Sequence, residues 1–149
     1  MSMNGFFKAF PPEQLEAMLN DHALIDLWVW TQPCALVTTD VESAWDVLSH
    51  LLDEAGFRLT AEVDNALSNG CYFISAPQVQ AQAQELARWS EAQLLERLRQ
   101  LDAEEELYHQ ELYSEDEDGE QSLVEQFEKL LAFYSAAAKQ NLGVVYYLA

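Results

Sequence analysis

Basic residues are what this chain has least of. Its 149 residues include only 7 Lys or Arg against 26 Asp or Glu, a formal net charge of -19 at pH 7. Such a surface repels phosphate backbones and anionic lipid headgroups, so nucleic acid and charged membranes are not expected as ligands. Cysteine is nearly absent as well. Cys34 and Cys71 are far apart and have no partners at metal-ligand spacing, which leaves neither a disulfide framework nor a zinc site. With 5 glycines the sequence contains no phosphate-cradling loop and no dinucleotide fingerprint, so no nucleotide cofactor is expected. No apolar run reaches membrane-spanning length, and the opening "MSMNGFFKAF" lacks the basic start and apolar run of a signal peptide; the expected location is the cytoplasm.

What is present describes a packed globule. Half the residues are hydrophobic and 11% are aromatic, in a chain long enough to bury one core. There is no internal repeat and no Pro/Gly/Ser-rich linker, so residues 1–149 are read as one domain.

Periodicity supplies the elements. "MNGFFKAF" suits a short strand, and "PPEQLEAMLN" a helix entered through prolines with Leu15, Met18 and Leu19 on one side. The stretch "ALIDLWVWTQPCALVTT" fits buried helix or buried strand and is assigned as helix, ended by Pro33. Asp40 can cap a helix reaching about residue 55, with Val41, Trp45, Leu48, Leu52 and Ala55 on one stripe and Gly56 as its stop. "FRLTAEVDNALSNG" reads as loop and "CYFIS" as a brief strand. Ser75 with Gln78, and Ser90 with Gln93, are capping-box patterns that open two successive helices, the first turning Val79, Ala83, Leu86 and Ala87 inward. From Gly119, the series Leu123, Phe127, Leu130, Leu131, Tyr134 and Ala138 marks the clearest amphipathic helix, and "VVYYLA" closes as a strand. Together these predict an α+β fold: a small, largely antiparallel sheet covered by about five helices.

The negative charge is concentrated. Residues 102–128 hold twelve acids and no Lys or Arg, while the first 101 residues hold fourteen acids against five bases. A field of this kind can steer a basic protein into contact, or it can be plain solvated surface. Within it, "SEDEDGEQSLVE" approximates a calcium loop, but its first position is Ser114 instead of Asp and its eighth is Gln121 instead of a branched apolar residue. Helix-entrance acids are the better reading, with Asp116, Asp118 and Glu120 at the positive end of the Gly119 helix. His50 has Asp46, Asp53 and Glu54 at helical spacing, and His109 lies among Glu106, Gln110 and Glu111; neither histidine has metalloprotease spacing, and no nucleophile elbow exists. No metal or other cofactor is expected.

Four segments carry a family resemblance. "MSMNGFF", "DVESAWDVLSHLL", "YFISAPQV" and above all "QFEKLLAFYSAAAKQNLGVVYYLA" resemble the YfbM-like family of bacterial domains of unknown function, over most of the chain. Where that family tends to carry a histidine directly after the leucine of its tryptophan helix, this chain has Ser49, with His50 one place later. No functional residue is therefore carried over. The resemblance implies a small cytoplasmic α+β domain with no established reaction, and relatives that are in some cases candidate immunity proteins beside bacterial toxins.

The expectation is a non-catalytic acidic binding protein, an immunity protein that neutralises a cognate basic toxin by direct protein–protein contact. Its contact residues would be Glu115, Asp116, Glu117, Asp118 and Glu120, with Tyr108 and Tyr113 as aromatic anchors. An enzyme whose carboxylates converge only in the fold, and an adaptor or self-associating domain burying Tyr108 or Trp30, remain as alternatives.

Overall fold

The computed structural model describes residues 2–102 and 105–149. Five antiparallel strands, β1 (Gly5–Phe10), β2 (Val37–Asp40), β3 (Ala61–Val63), β4 (Cys71–Ile74) and β5 (Gly143–Leu148), form one sheet in the order β2-β1-β5-β4-β3. β1 and β5 pair along their full lengths, and Asn4 and Ala149 extend the ladder by exchanging backbone hydrogen bonds of 2.7 and 3.0 Å. The chain ends thus meet at the centre of the sheet. Being central, β5 is buried on both faces from Gly143 to Tyr147.

Strand alternation divides the apolar residues between two layers. Phe7, Ile74, Val144 and Tyr146 face the larger core. Four helices contribute most of its other side: α3 (Trp45–Leu51), α4 (Ala76–Leu86), α5 (Glu91–Arg99) and α7 (Glu117–Lys139). Phe7 is its hub, stacked on Tyr146 at 4.6 Å and in edge or tilted contact with Phe57, Phe133 and Tyr134. On the opposite face Phe73, Val145 and Tyr147 meet Leu15 and Met18 of α1 (Pro12–Asn20) and Ile25 of α2 (Ala23–Asp26). A short α6 (Glu111–Ser114) packs against α7.

The α+β architecture matches expectation; several details differ. β2 lies beyond Pro33, where no strand was expected, and β3 lies in the stretch read as loop. Both take their pairing from distant segments, β1 and β4, which local periodicity does not register. The helical reading is correct for residues 23–31, where α2 runs into a π turn (Leu27–Thr31) closed by the Gln32 amide donating to the Leu27 carbonyl at 2.6 Å. Asp40 ends β2 instead of capping a helix directly: its Oδ1 accepts from the Glu42 amide at 3.2 Å, and a 3-10 turn (Glu42–Ala44) leads into α3. α3 stops at Leu51 because Asp53 and Glu54 adopt left-handed φ of 52° and 66°, a tight turn that still buries Leu52 and Ala55. Leu19 and Ala87 face outward, not inward.

Both predicted caps form. Ser90 and Gln93 make the complete reciprocal box. At α4 only half of it exists: Ser75 accepts from the Gln78 amide at 3.4 Å, while the Gln78 side chain accepts instead from Thr60 Oγ1 at 2.5 Å. α7 begins two residues before Gly119, with Asp116 as its cap.

Candidate functional site

The acidic segment is fixed to the domain at three points. Tyr108 stacks on Trp45 with ring centroids 5.1 Å apart; its hydroxyl accepts from the Met3 amide at 2.7 Å and its own amide donates to Asp46 Oδ2 at 2.9 Å. Tyr113, 4% exposed, shares a 2.7 Å hydrogen bond with Ser43 Oγ on the 3-10 turn. Asp116 Oδ1 accepts from the Gly119 amide at 2.7 Å and so satisfies one of the free N–H groups of the α7 entrance.

These anchors decide which predicted contact residues are available. Tyr113 is not: burial and its bond to Ser43 make it a core residue, which corrects its reading as a surface anchor. Burial also pushes its phenol pKa up. Tyr108 is half-buried with both polar groups in use. Glu115, Asp116, Glu117 and Asp118 are all exposed. Glu120 is set back, bound at both carboxylate oxygens by Arg99 at 3.0 Å, and that guanidinium holds its pKa below the usual value. Among the described residues, Glu115, Glu117 and Asp118 form no ion pair. Ala103 and Glu104, within the predicted acidic region, lie outside the described residues.

The calcium-loop geometry does not form. From Glu117 onward the chain is helical, so Glu125 sits two turns along α7 instead of wrapping around a shared centre, and Asp116 is committed to the cap. No group of three or more His, Cys, Asp or Glu among the described residues is placed to hold a metal ion. His50 lines a shallow groove with Asp46 and Asp53, where the Arg97 guanidinium, 2.9 Å from Asp53 Oδ2, lowers the Asp53 pKa. Burial pushes the Cys71 thiol up to about 12, so it stays protonated at neutral pH.

Two grooves of about 560 and 570 Å³ run along the α7 entrance. The first is lined by the Asp116 cap, by Asp118 and Ser122 of α7, and by Glu42 and Ser43 of the 3-10 turn. The second continues along α7 with Glu125, Gln126, Glu128 and Lys129. Glu42 and Ser122 belong to both, so the acidic surface is continuous. Sequence reading missed Glu42 and Gln126. For Gln126 a signal existed: it stands three residues after Leu123 and four before Leu130, on the apolar stripe of α7, and it is 4% exposed. Its Nε2 donates to Glu42 Oε2 at 2.8 Å while its Oε1 has no partner among the described residues, an omission that costs about 1–3 kcal/mol for a buried acceptor.

Glu128, in the second groove, lies beside Glu91 of α5; hydrogen bonding and repulsion between the two carboxyls raise its pKa above the ordinary 4.5. A carboxyl whose folded pKa is raised favours the folded state while protonated and opposes it once ionised. Stability is therefore lost as pH rises through that folded pKa. Glu128→Gln is expected to raise the melting temperature at neutral pH, with the gain vanishing below the ordinary carboxylate range. Thermal melts of both proteins across that range check this, and an equal gain at every pH would rule out the carboxyl pair as its cause.

Fold and site together define an α+β domain with helices on both faces of a five-stranded antiparallel sheet and an acidic groove at one helix entrance. The sequence profile of the domain of unknown function DUF1877 matches residues 1–147, and the chain belongs to that family. The crystal structure of YfbM from Escherichia coli, a protein of unknown function, is similar to it with a TM-score of 0.65 and 16% sequence identity, covering 98% of this chain and 99% of that one. At that identity the likeness is one of fold. No curated protein matches the chain.

Proposed function

We propose that the protein is a non-catalytic binding protein that captures a basic protein partner on the α7 entrance, and that the partner is a bacterial toxin neutralised by this contact. One observation carries the reading: four consecutive exposed acids, Glu115 to Asp118, stand on a segment anchored by Tyr108, Tyr113 and the Asp116 cap. Pre-ordered contact groups lower the entropy cost of association, and concentrated negative charge raises the association rate with a basic partner. Immunity to a toxin requires only surface complementarity, which an exposed acidic face can supply.

The test is capture from the native bacterium with the tagged full chain at low and moderate salt. One stoichiometric basic protein is expected, whose toxicity is abolished on co-expression. Changing Glu115, Asp116, Glu117 and Asp118 together to Lys should weaken its binding by at least about tenfold, given the worth of complementary interface charge. Unchanged affinity would remove this face from the proposal, and a partner left fully toxic would remove the immunity role.

A further inference from the structure

The second groove combines surplus acceptors with an incompletely bonded buried amide. Glu42, Glu125 and Glu128 bring three carboxylates to its walls, and Lys129, the one cation among the described residues that line it, is directed to Asp40 Oδ1 at 3.3 Å. Gln126 lines the same groove, 4% exposed, with its nitrogen bound to Glu42 and its oxygen without a partner among the described residues. The amide orientation is fixed by chemistry: the reverse placement would set its oxygen against the Glu42 carboxylate. Among the described residues Gln126 thus donates one hydrogen bond to a carboxylate, and its own acceptor has no protein partner. What the groove lacks is donors, several of them, on one positively charged group.

An ammonium is a compact point charge with a strong preference for water, whereas a guanidinium is a planar fork that pairs carboxylates side-on and sheds water more readily. We infer that this groove is an arginine pocket, in which a guanidinium from a partner protein pairs with Glu42 and donates to the Gln126 carbonyl as that amide turns away from Glu42. This rests on the binding role proposed above and names the partner chemistry at the same continuous acidic surface. Glu42 links the pocket to the exposed acids, since it lines both grooves. The acids draw the partner in and the pocket selects arginine over lysine.

The experiment titrates the ¹⁵N-labelled full chain with Nα-acetyl-arginine amide and, separately, Nα-acetyl-lysine amide, following the Gln126 side-chain amide resonances. The arginine probe should give a saturable shift of those resonances, and the lysine probe should bind at least about fivefold more weakly, reflecting the bidentate geometry. Glu42→Gln should abolish the shift and Glu16→Gln, an exposed acid of α1 outside both grooves, should retain it. Gln126→Leu, checked for native dispersion of the backbone spectrum, should lower arginine affinity without changing the weaker lysine binding. Equal binding of the two probes, or no response at Gln126, would overturn the pocket. Poly-lysine binding, compared with the Glu115/Asp116/Glu117/Asp118 reversal to Lys, separates the two ideas. If it is lost on reversal while the arginine probe fails, the pocket is wrong and the acidic face stands; if neither cation binds, both fall.

Discussion

Gly119→Ala should destabilise the protein by about 3 kcal/mol, lowering its melting temperature by roughly 6–12 °C for a domain of this size. On helix propensity alone the change is favourable, because alanine exceeds glycine by about 1 kcal/mol in a helix interior. Packing reverses the sign. A Cβ at Gly119 would overlap the Leu112 carbonyl oxygen, and would lie only 3.1 Å from both the Leu112 carbonyl carbon and the Tyr113 Cα. These are backbone atoms, so no rotamer change relieves the contact. Nor can α6 retreat freely, since Tyr113 is buried and hydrogen-bonded to Ser43. The strain falls on the junction that presents Glu115 to Asp118, so the same substitution should weaken capture of a basic partner while leaving every acid in place. Denaturant melts and partner binding of the alanine variant test both effects. A melting temperature at or above that of the parent would show that α6 and α7 can separate without loss, and would remove the rigid-presentation argument.

The glycine shows where sequence reading reached and where it ended. Gly119 was legible as a helix entrance, because acids cluster before it and an apolar stripe follows; its close approach to Leu112 was not, since contact between two helices leaves no local pattern. β1, β5 and α7 were legible for the complementary reason that each carries its own periodicity. β2 and β3 failed because they are short edge strands, half-exposed, whose identity depends on pairing with β1 and β4.

The candidate site divides in the same way. Composition located the acidic run, and Asp116 was placed correctly at the positive end of α7. Tyr113 was misjudged because tyrosine composition does not reveal whether a ring points out or in, and here the Ser43 hydroxyl gives its polar end a buried partner. Glu42 reaches the groove from eighty-four positions away in the chain, through a hydrogen bond that only the fold creates. Gln126 and Gln82 were both on apolar stripes and could have been identified as buried amides; the partners of each belong to other elements.

Gln82→Met should cost about 3 kcal/mol, though it removes almost no volume. Gln82 is 2% exposed, and its Oε1 accepts from the backbone amides of Gly56 at 2.8 Å and Arg58 at 3.0 Å, while its Nε2 donates to the Arg58 carbonyl at 3.1 Å. One side chain thus completes the hydrogen bonding of the turn that follows α3, where Gly56 holds a φ of 93° and its carbonyl accepts from the buried Tyr134 hydroxyl at 2.5 Å. Methionine fills the space and supplies none of these bonds. The Gly56 amide is buried and bears the larger share, about 1–3 kcal/mol for one stranded donor; the Arg58 groups are partly exposed and can recover some of their loss from water. Because the turn carries Leu52, Ala55 and Phe57 into the large core, its loosening should spread to the Phe7 cluster. Hydrogen exchange should accelerate at Gly56 and Arg58 together with the drop in melting temperature. A loss below about 1 kcal/mol with unchanged exchange would mean that another group satisfies the turn, and Gln82 would be reduced to an incidental buried amide.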